Sequence, residues 1–224
     1  MSPSHTDVSA RLGTLADAAF LARIDYFASL PPDDHCFWDD LLAPTGTTAL
    51  AFLEAQIAVG ASAWGQPSDH VILERDGVPL AACAVLDNLG EDGDLRPLRL
   101  SRLPALAARL GWTDAVRDAF QARYDEAWPA TDTAFLAPQA SAIVEAVGGE
   151  PEARGQGLGQ RLMAEAFEEA RRRGHPDLGV MVLHGNTAAQ RLYERVGFEP
   201  VLTFHAACFG DEMPGVTKYR VALN

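Results

Sequence analysis

The sequence has few cysteines, and their spacing excludes two common kinds of site. Cys36, Cys83 and Cys208 lie far apart and are odd in number, so they form neither a disulfide framework nor a zinc-binding pattern. No cluster of His, Cys, Asp or Glu has metal-ligand spacing. We therefore expect reduced thiols in the core and no bound metal.

Targeting and membrane signals are also absent. The N-terminal stretch MSPSHTDVSARLG lacks a basic segment leading into an apolar one. The longest apolar segment, TALAFLEAQIAVGASAW, is interrupted by Glu54 and Gln56, which argues against a membrane span. These absences favour a cytoplasmic protein.

Positive charge is scarce. The chain has 18 Lys and Arg against 31 Asp and Glu, a formal charge of -13. Binding that depends on neutralising phosphates needs clustered basic residues, so nucleic acid and anionic membranes are unexpected partners. The acidity favours a cationic or amine-bearing substrate by steering, although acidic proteins are often merely soluble.

The 224 residues, 48% of them hydrophobic, suffice for a sizeable core. Because no internal repeat or low-complexity linker is found, we expect a single domain spanning residues 1–224. Helical spacing in LADAAFLARIDYFASL and TTALAFLEAQIAVG predicts N-terminal helices within residues 1–66. Two apolar runs joined by Asp76-Gly77 predict an antiparallel hairpin.

Residues 88–138 are predicted to form a helical insert. After an acidic loop, SRLPALAARLG and TDAVRDAFQARYDEAW read as helices separated by Gly111, with Ser101 and Thr113 as caps. The C-terminal third then reads strand, helix, strand, helix, strand, strand, with SAIVEAVGG as its first strand and GVTKYRVAL as its last. The sequence therefore predicts an α/β protein.

The stretch EARGQGLGQRLM places three alternate glycines, Gly155, Gly157 and Gly159, at the start of an amphipathic helix. A helix start carries unpaired N–H groups, and glycines let a ligand approach them. Arg154 adds a charged donor, so a phosphate is the expected ligand. No lysine follows, as a nucleoside triphosphate loop requires, and Gln160 replaces the third glycine of a dinucleotide loop.

Two sequence blocks resemble the GNAT superfamily of acyl-CoA-dependent N-acetyltransferases. The family's loop, [QR]-x-x-G-x-[GA], is matched by Arg154, Gly157 and Gly159. The family's second block, a strand followed by Asn, a small residue and a Leu-Tyr-Glu-Arg-x-Gly-Phe ending, is matched by GVMVLHGNTAAQRLYERVGF. The resemblance covers residues 141–200. It implies the GNAT fold, a mixed and mostly antiparallel sheet flanked by helices, with acetyl-CoA as acyl donor. A homodimer is compatible with this resemblance.

The resemblance assigns coenzyme binding to three parts of the chain. These are the loop residues Arg154, Gly155, Gln156, Gly157, Leu158 and Gly159; the strand residues Val147, Gly148 and Gly149; and Asn186. In the family the strand splays or bulges here, and its backbone N–H groups meet the oxyanion. Gly148-Gly149 departs from the family's apolar pattern, which means either a roomier pocket or a degenerate site.

Two residues are candidate catalysts. Glu145 lies in a strand with apolar neighbours, where an unpaired carboxylate is costly unless it faces a cleft, and its place resembles that of the family's base-like glutamate. Its alternative role is a solvated or salt-bridged strand residue. Tyr193 matches the family's general acid for the departing thiolate, and otherwise would be a packed core aromatic.

The leading hypothesis is transfer of an acetyl group to a primary amine, on a small molecule or peptide, by direct attack in a ternary complex. The alternative is a non-catalytic CoA-binding sensor, and a third reading has a longer or O-linked acceptor. Asp87, Asp92 and Asp94 offer charge for a cationic acceptor, unless they belong to a solvated loop. His184 and His205 are left out of the site as structural residues.

Overall fold

The fold is described from a computed structural model, which covers residues 8–30, 32–87, 94–129, 134–210 and 213–223. Seven α-helices occur in these ranges: α1 (Ala18–Ser29), α2 (Phe37–Leu42), α3 (Ala49–Ala58), α4 (Leu103–Leu110), α5 (Asp114–Ala127), α6 (Leu158–Arg172) and α7 (Thr187–Arg195). None of the helices in the described residues is long and apolar enough to cross a membrane.

The strands form one mixed sheet in the order β1-β2-β3-β4-β5-β7-β6. They are β1 (Ser9–Leu12), β2 (His70–Arg75), β3 (Val78–Leu86), β4 (Ala142–Gly149), β5 (Asp177–Leu183), β6 (Glu199–Phe204) and β7 (Val216–Ala222). All neighbouring pairs are antiparallel except β4 with β5, which run parallel. The predicted mixed, mostly antiparallel sheet with flanking helices is confirmed.

The sheet separates two hydrophobic cores, because side chains of a strand alternate between its faces. Ile72 and Ala82 face a core shared with α1 to α5, whereas Leu73, Cys83 and Val144 face a core shared with α6 and α7. The insert helices α4 and α5 thus pack with the N-terminal helices. They lie on the face opposite to the glycine-loop helix α6.

Local signals in the sequence correspond to local conformations. Asp76 and Gly77 both have positive φ (52° and 76°), as a tight hairpin turn between β2 and β3 requires, so that prediction is confirmed. Thr113 caps α5 by accepting from Val116 N, and Gly111 (φ 69°) ends α4 in the left-handed conformation.

Other expectations were incomplete or wrong. β1 and α2 were not predicted, because both are short. Ser101 does not cap α4; it lies within a 3₁₀ turn, Leu100–Arg102, that precedes the helix. The strand expected over EPVLTFHAACF ends at Phe204 and gives way to a 3₁₀ turn, Ala206–Phe209.

The thiols also differ from expectation in one case. Cys36 and Cys83 are buried, as expected for core cysteines, but Cys208 is exposed on the 3₁₀ turn after β6. Most of the acidic loop after β3, residues 88–93, lies outside the described residues.

Candidate active site

The site is organised by the point at which two parallel strands part. β4 and β5 are paired only from Ala142–Leu178 to Val144–Val180. Immediately beyond this point Ala146 has φ 50°, a strained conformation for alanine, and the register with β3 shifts by one residue. The predicted bulge is therefore present, and it turns the end of β4 away from β5.

Two cavities meet at this parting. One, of about 380 Å³, is lined by residues of the glycine loop and of α7. The other, of about 450 Å³, extends from Glu145 towards aromatic side chains. Ala28, Val147, Asn186, Ala189 and Tyr193 line both cavities. A ligand in one cavity would therefore reach a ligand in the other at the end of β4.

The glycine loop enters α6 through two left-handed residues. Gly155 (φ 75°) and Gly157 (φ 77°) adopt a conformation that favours glycine, and a Cβ at either would meet no atom within 4 Å. The Arg161 N–H donates to Gly157 O at the start of the helix. The N–H groups of residues 158–160 therefore have no carbonyl partner within α6. The loop thus presents open, unhindered backbone donors to the smaller cavity.

Arg154 and Gly159 complete this loop in different ways. Arg154 is exposed, its guanidinium lies 5.8 Å from the ring centre of Phe27, and no carboxylate pairs with it among the described residues. Gly159 is packed, because a Cβ there would lie 3.1 Å from Leu192 Cδ2. Only two of the three glycines are therefore needed for loop conformation, and the third allows α6 and α7 to approach.

Of the two glycines at the end of β4, only Gly148 has a packing reason. A Cβ at Gly148 would lie 3.1 Å from both the carbonyl oxygen and Cγ2 of Ile24, so the absent side chain lets α1 lie against the strand. A Cβ at Gly149 would make ordinary contacts of 3.4 Å with Ala81 and Leu80. Both glycines also line the smaller cavity.

Asn186 lies at the start of α7. Its side-chain oxygen accepts from Ala189 N at 3.1 Å, which makes it the N-cap, as the sequence suggested for its structural role. The amide nitrogen of the same side chain has no hydrogen-bond partner among the described residues, and Asn186 lines both cavities.

The carboxylate of Glu145 lies in an unusual electrostatic setting. Burial, with a smaller contribution from the nearby charge of Asp25, raises the pKa of Glu145 to about 8, while Lys218 opposes the shift. Burial also raises the pKa of Asp25, on α1, to about 6. The Lys218 ammonium donates to Ala137 O, and burial lowers its pKa. At neutral pH Glu145 is therefore largely protonated.

Tyr193 is buried on α7 and packs edge-on against Phe198 at 5.7 Å. Burial raises the pKa of its phenol, with smaller contributions from Cys83 and Glu145. No hydrogen bond to the hydroxyl is seen among the described residues. The phenol thus keeps its proton over the physiological range and lines both cavities.

Some residues considered from the sequence lie elsewhere. Gln156 does not line the smaller cavity; its side-chain oxygen accepts from Arg75 at 3.0 Å. Asp87 pairs with Arg173 at 3.0 Å, and Asp94 pairs with Arg96 at 2.8 Å. The charges of Asp87 and Asp94 are thus paired with arginines of the same chain, and Asp92 lies outside the described residues.

The two histidines are engaged with the sheet and with each other. The Nε2 atom of His184 lies 3.0 Å from Thr217 Oγ1, and its ring centre lies 6.3 Å from that of His205. Among the residues that the structure describes, no group of three or more His, Cys, Asp or Glu could hold a metal ion.

Sequence reasoning missed several parts of the site. Asp25 lies within the helix pattern of α1, where an acidic residue gave no signal. The aromatic wall of the larger cavity comes from Phe37, Trp64, Trp128 and Phe135, whose separation along the chain gave no pattern to detect.

Comparisons with known proteins fit this geometry. The acetyltransferase (GNAT) family model matches residues 107–198. This segment includes β4 with its bulge, the glycine loop and the whole of α7. No curated protein matches the chain.

Solved structures share the fold at low sequence identity. The yncA protein from Salmonella typhimurium, solved with its cofactor acetyl-CoA, has a TM-score of 0.52 and 20% identity, covering 97% of this chain and 94% of its own. An N-acetyltransferase from Staphylococcus aureus Mu50 has a TM-score of 0.59 and 14% identity, with coverages of 95% and 100%. An acetyltransferase of the GNAT family from Streptococcus pneumoniae has a TM-score of 0.52 and 14% identity, covering 97% of this chain and 100% of its own.

Proposed function

We propose that this chain, a GNAT acetyltransferase family protein by its fold and by the match over residues 107–198, transfers an acetyl group from acetyl-CoA to a primary amine. The transfer is direct, in a ternary complex, without a covalent intermediate on the enzyme. The observation that carries the proposal is the meeting of two cavities at the end of β4, between Glu145 and Tyr193. We treat residues 1–224 as one such domain.

The residues of the smaller cavity fit the proposed coenzyme. The open N–H groups at the start of α6 and the unpaired Arg154 guanidinium suit a pyrophosphate, since helix N-termini and arginine favour phosphate oxygens. Past Val144 the edge of β4 that would face β5 is free to bind an extended arm. When bound, acetyl-CoA would supply the activated acetyl group.

Glu145 is assigned the role of general base. An alkylammonium has a pKa near ~10.4, and a base transfers protons best when its own pKa approaches that of the donor. The raised pKa of Glu145, about 8, brings it closer to the amine than an ordinary carboxylate. The proton leaves the acceptor nitrogen for a carboxylate oxygen, directly or through water.

Tyr193 is assigned the role of general acid. Because its phenol remains protonated, it holds a proton at the junction where a thiolate would depart, and the sulfur takes this proton as its bond to the acyl carbon breaks. Backbone N–H groups around Val147 to Gly149 are assigned to the oxyanion. Asn186, which lines both cavities, is assigned to coenzyme binding.

The test is release of free thiol from acetyl-CoA with a panel of amines, followed by the pH dependence of kcat. We expect kcat to rise with pH through a limb near pH 8 in the wild type, because Glu145 must lose its proton to act as base. Glu145→Gln should lower kcat by about 10²-fold and remove that limb. An unchanged profile in the variant would contradict the base role.

The non-catalytic sensor is separated in the same assay. Of the pair Gly148-Gly149, which suggested a degenerate site, Gly148 is explained by the close approach of Ile24 without any loss of function, whereas Gly149 has room for a Cβ. Tight acetyl-CoA binding without thiol release for any amine would favour the sensor over the enzyme.

A further inference from the structure

The larger cavity has an aromatic wall. Trp64 and Trp128 pack edge to face with ring centres 6.0 Å apart, and Trp128 and Phe135 are stacked at 6.3 Å. Phe37 packs against Trp128 at 5.3 Å. Each of these rings is half-buried, so part of its surface is left for a ligand.

The polar edge of Trp64 is already satisfied. Its indole N–H donates to Leu95 O at 3.4 Å, so the indole offers the cavity mainly its apolar surface. Met181, Met213 and Pro214 extend the same apolar lining. A polar body with several hydroxyl or amide groups would leave those groups unpaired against this wall.

The charge of the cavity is of one sign. Its ionisable lining consists of Tyr193, His35 and the three carboxyl groups of Asp33, Asp40 and Glu145, and His35 pairs with Asp40 at 2.8 Å. All 18 Lys and Arg of the sequence lie in the described ranges, and none of them lines this cavity. Lys218 lies in a small adjoining cavity beside Glu145, where it donates to Ala137 O, so a ligand carboxylate in the larger cavity would find no Lys or Arg in its lining.

We propose that the larger cavity binds a primary amine carried on an aromatic body and lacking a carboxylate, an arylalkylamine. The inference rests on the proposed function and names its acceptor class. The flat body would stack on Trp64, Trp128 and Phe135 at the spacing that aromatic pairs prefer. The ammonium group would approach Glu145, and the cavity volume of about 450 Å³ suits a ligand of this size.

The first experiment compares matched amines on the wild-type protein. Tryptamine and tryptophan differ by a carboxylate, and phenethylamine and n-butylamine differ by the aromatic ring. We expect kcat/KM about 10²-fold higher for tryptamine than for tryptophan, since an unpaired carboxylate is costly to bury. We expect about tenfold between phenethylamine and n-butylamine, from the ring's burial and stacking.

Calorimetric binding of the same amines separates this inference from the proposed function. Absence of thiol release with every amine would overturn the proposed function, whereas selective tryptamine binding would still support the ligand class. Binding or turnover of tryptophan equal to that of tryptamine would overturn the inference. So would equal performance of n-butylamine and phenethylamine.

A matched pair of variants tests the wall itself. Trp128→Leu removes an indole from the cavity, whereas Trp112→Leu removes one that packs on Phe52 and Phe120 outside it. We expect Trp128→Leu to raise KM for phenethylamine about tenfold and to leave KM for n-butylamine within about twofold. Trp112→Leu should leave the ratio of the two KM values unchanged.

This ratio remains informative if either variant is partly unfolded, because a smaller active fraction lowers both rates without altering KM. An equal change of both KM values in Trp128→Leu would overturn the inference. A ratio altered as strongly by Trp112→Leu as by Trp128→Leu would overturn it too.

Discussion

Glu145 and Tyr193 acquire their proposed roles from one shared property of their surroundings. Burial favours the neutral form of each, so the carboxyl titrates at about pH 8 and the phenol keeps its proton well beyond that pH. A base that titrates close to the working pH and an acid that stays protonated are what amine acetylation needs. The residue types were evident from the sequence, but these shifts depend on α1 and α7 covering the end of β4.

Replacing Tyr193 by Phe tests the acid at the level of one oxygen atom. The ring and its packing on Phe198 remain, so we expect acetyl-CoA affinity within about twofold and kcat lowered by about 10²-fold, the usual range for loss of a proton donor. Steady-state kinetics and coenzyme titration measure the two quantities. Tyr219→Phe, a buried tyrosine on β7 outside both cavities, is the control. Weakened coenzyme binding with unchanged kcat would contradict the assignment.

Arg154→Met tests the phosphate contact. Loss of a charged hydrogen bond costs about 1.5–3 kcal/mol, so the Kd for acetyl-CoA should rise roughly tenfold or more. Acetyl-pantetheine lacks the pyrophosphate, and its use as a donor should not change. Arg161→Met, seven residues further along the chain and paired with Glu165, is a matched control expected to leave Kd unaltered. An equal loss for both donors would argue that Arg154 merely supports the fold.

At the scale of single elements, the glycines explain why motif reading is only partly sufficient. Gly155 and Gly157 have the left-handed backbone that the loop pattern predicts. Gly159, in the same pattern, is a contact point with Leu192, and Gly148 is one with Ile24, although both also line the smaller cavity. The sequence records that these positions are glycine, but only the packed helices reveal which glycines serve a ligand and which serve packing.

Gly148→Ala and Gly149→Ala form a matched pair that tests this distinction. A methyl group at Gly148 must displace the Ile24 backbone, so we expect a loss of about 1–3 kcal/mol in the free energy of unfolding. The methyl group at Gly149 fits at 3.4 Å, and its effect should stay within about 1 kcal/mol, with some gain from lower unfolded-state entropy. Urea unfolding measures both. Equal losses of stability in the two variants would show that the packing of α1 against β4 does not require a glycine at position 148.

Prediction of elements succeeded where the signal was local. The Asp76-Gly77 turn, the amphipathic α6 and the strand β4 were predicted because turn residues and periodicity encode them directly. β1 was missed because its four residues, Ser9–Leu12, show little alternation and gain stability from pairing with β2. Ser101 was misassigned because a cap depends on where the 3₁₀ turn yields to α4.

At the scale of the whole molecule, the coenzyme side and the acceptor side differ in how far sequence can predict them. The coenzyme side draws its loop, Asn186 and Tyr193 from one continuous stretch, and a motif can describe such a stretch. The acceptor side combines Trp64, Trp128 and Phe135 with the end of β4, and only the sheet and its two cores bring them together. The negative charge of the chain favoured an amine as the acceptor. The aromatic wall of the larger cavity narrows the proposed acceptor to an arylalkylamine.

The stability of the whole molecule should record the energetic cost of keeping Glu145 in the site. Its carboxyl has a pKa of about 8 in the folded state against 4.5 for an unperturbed glutamate. Below pH 4.5 it is protonated in both states and carries no penalty. Between pH 4.5 and 8 the unfolded state binds fewer protons than the folded state, so the free energy of unfolding falls as pH rises, and it levels off above pH 8.

Glu145→Gln removes this titration, and its effect on stability should therefore depend on pH. We expect the variant to equal the wild type near pH 4.5 and to exceed it by up to about 5 kcal/mol at pH 9, in urea unfolding at both pH values. Glu150→Gln breaks the 2.7 Å ion pair of Glu150 with Arg23 and should show no such gain at pH 9. A Glu145→Gln variant less stable than the wild type at pH 9 would mean that Lys218 stabilises the carboxylate more than burial penalises it. In that case the base would titrate well below pH 8, and the pH limb of kcat should move down with it.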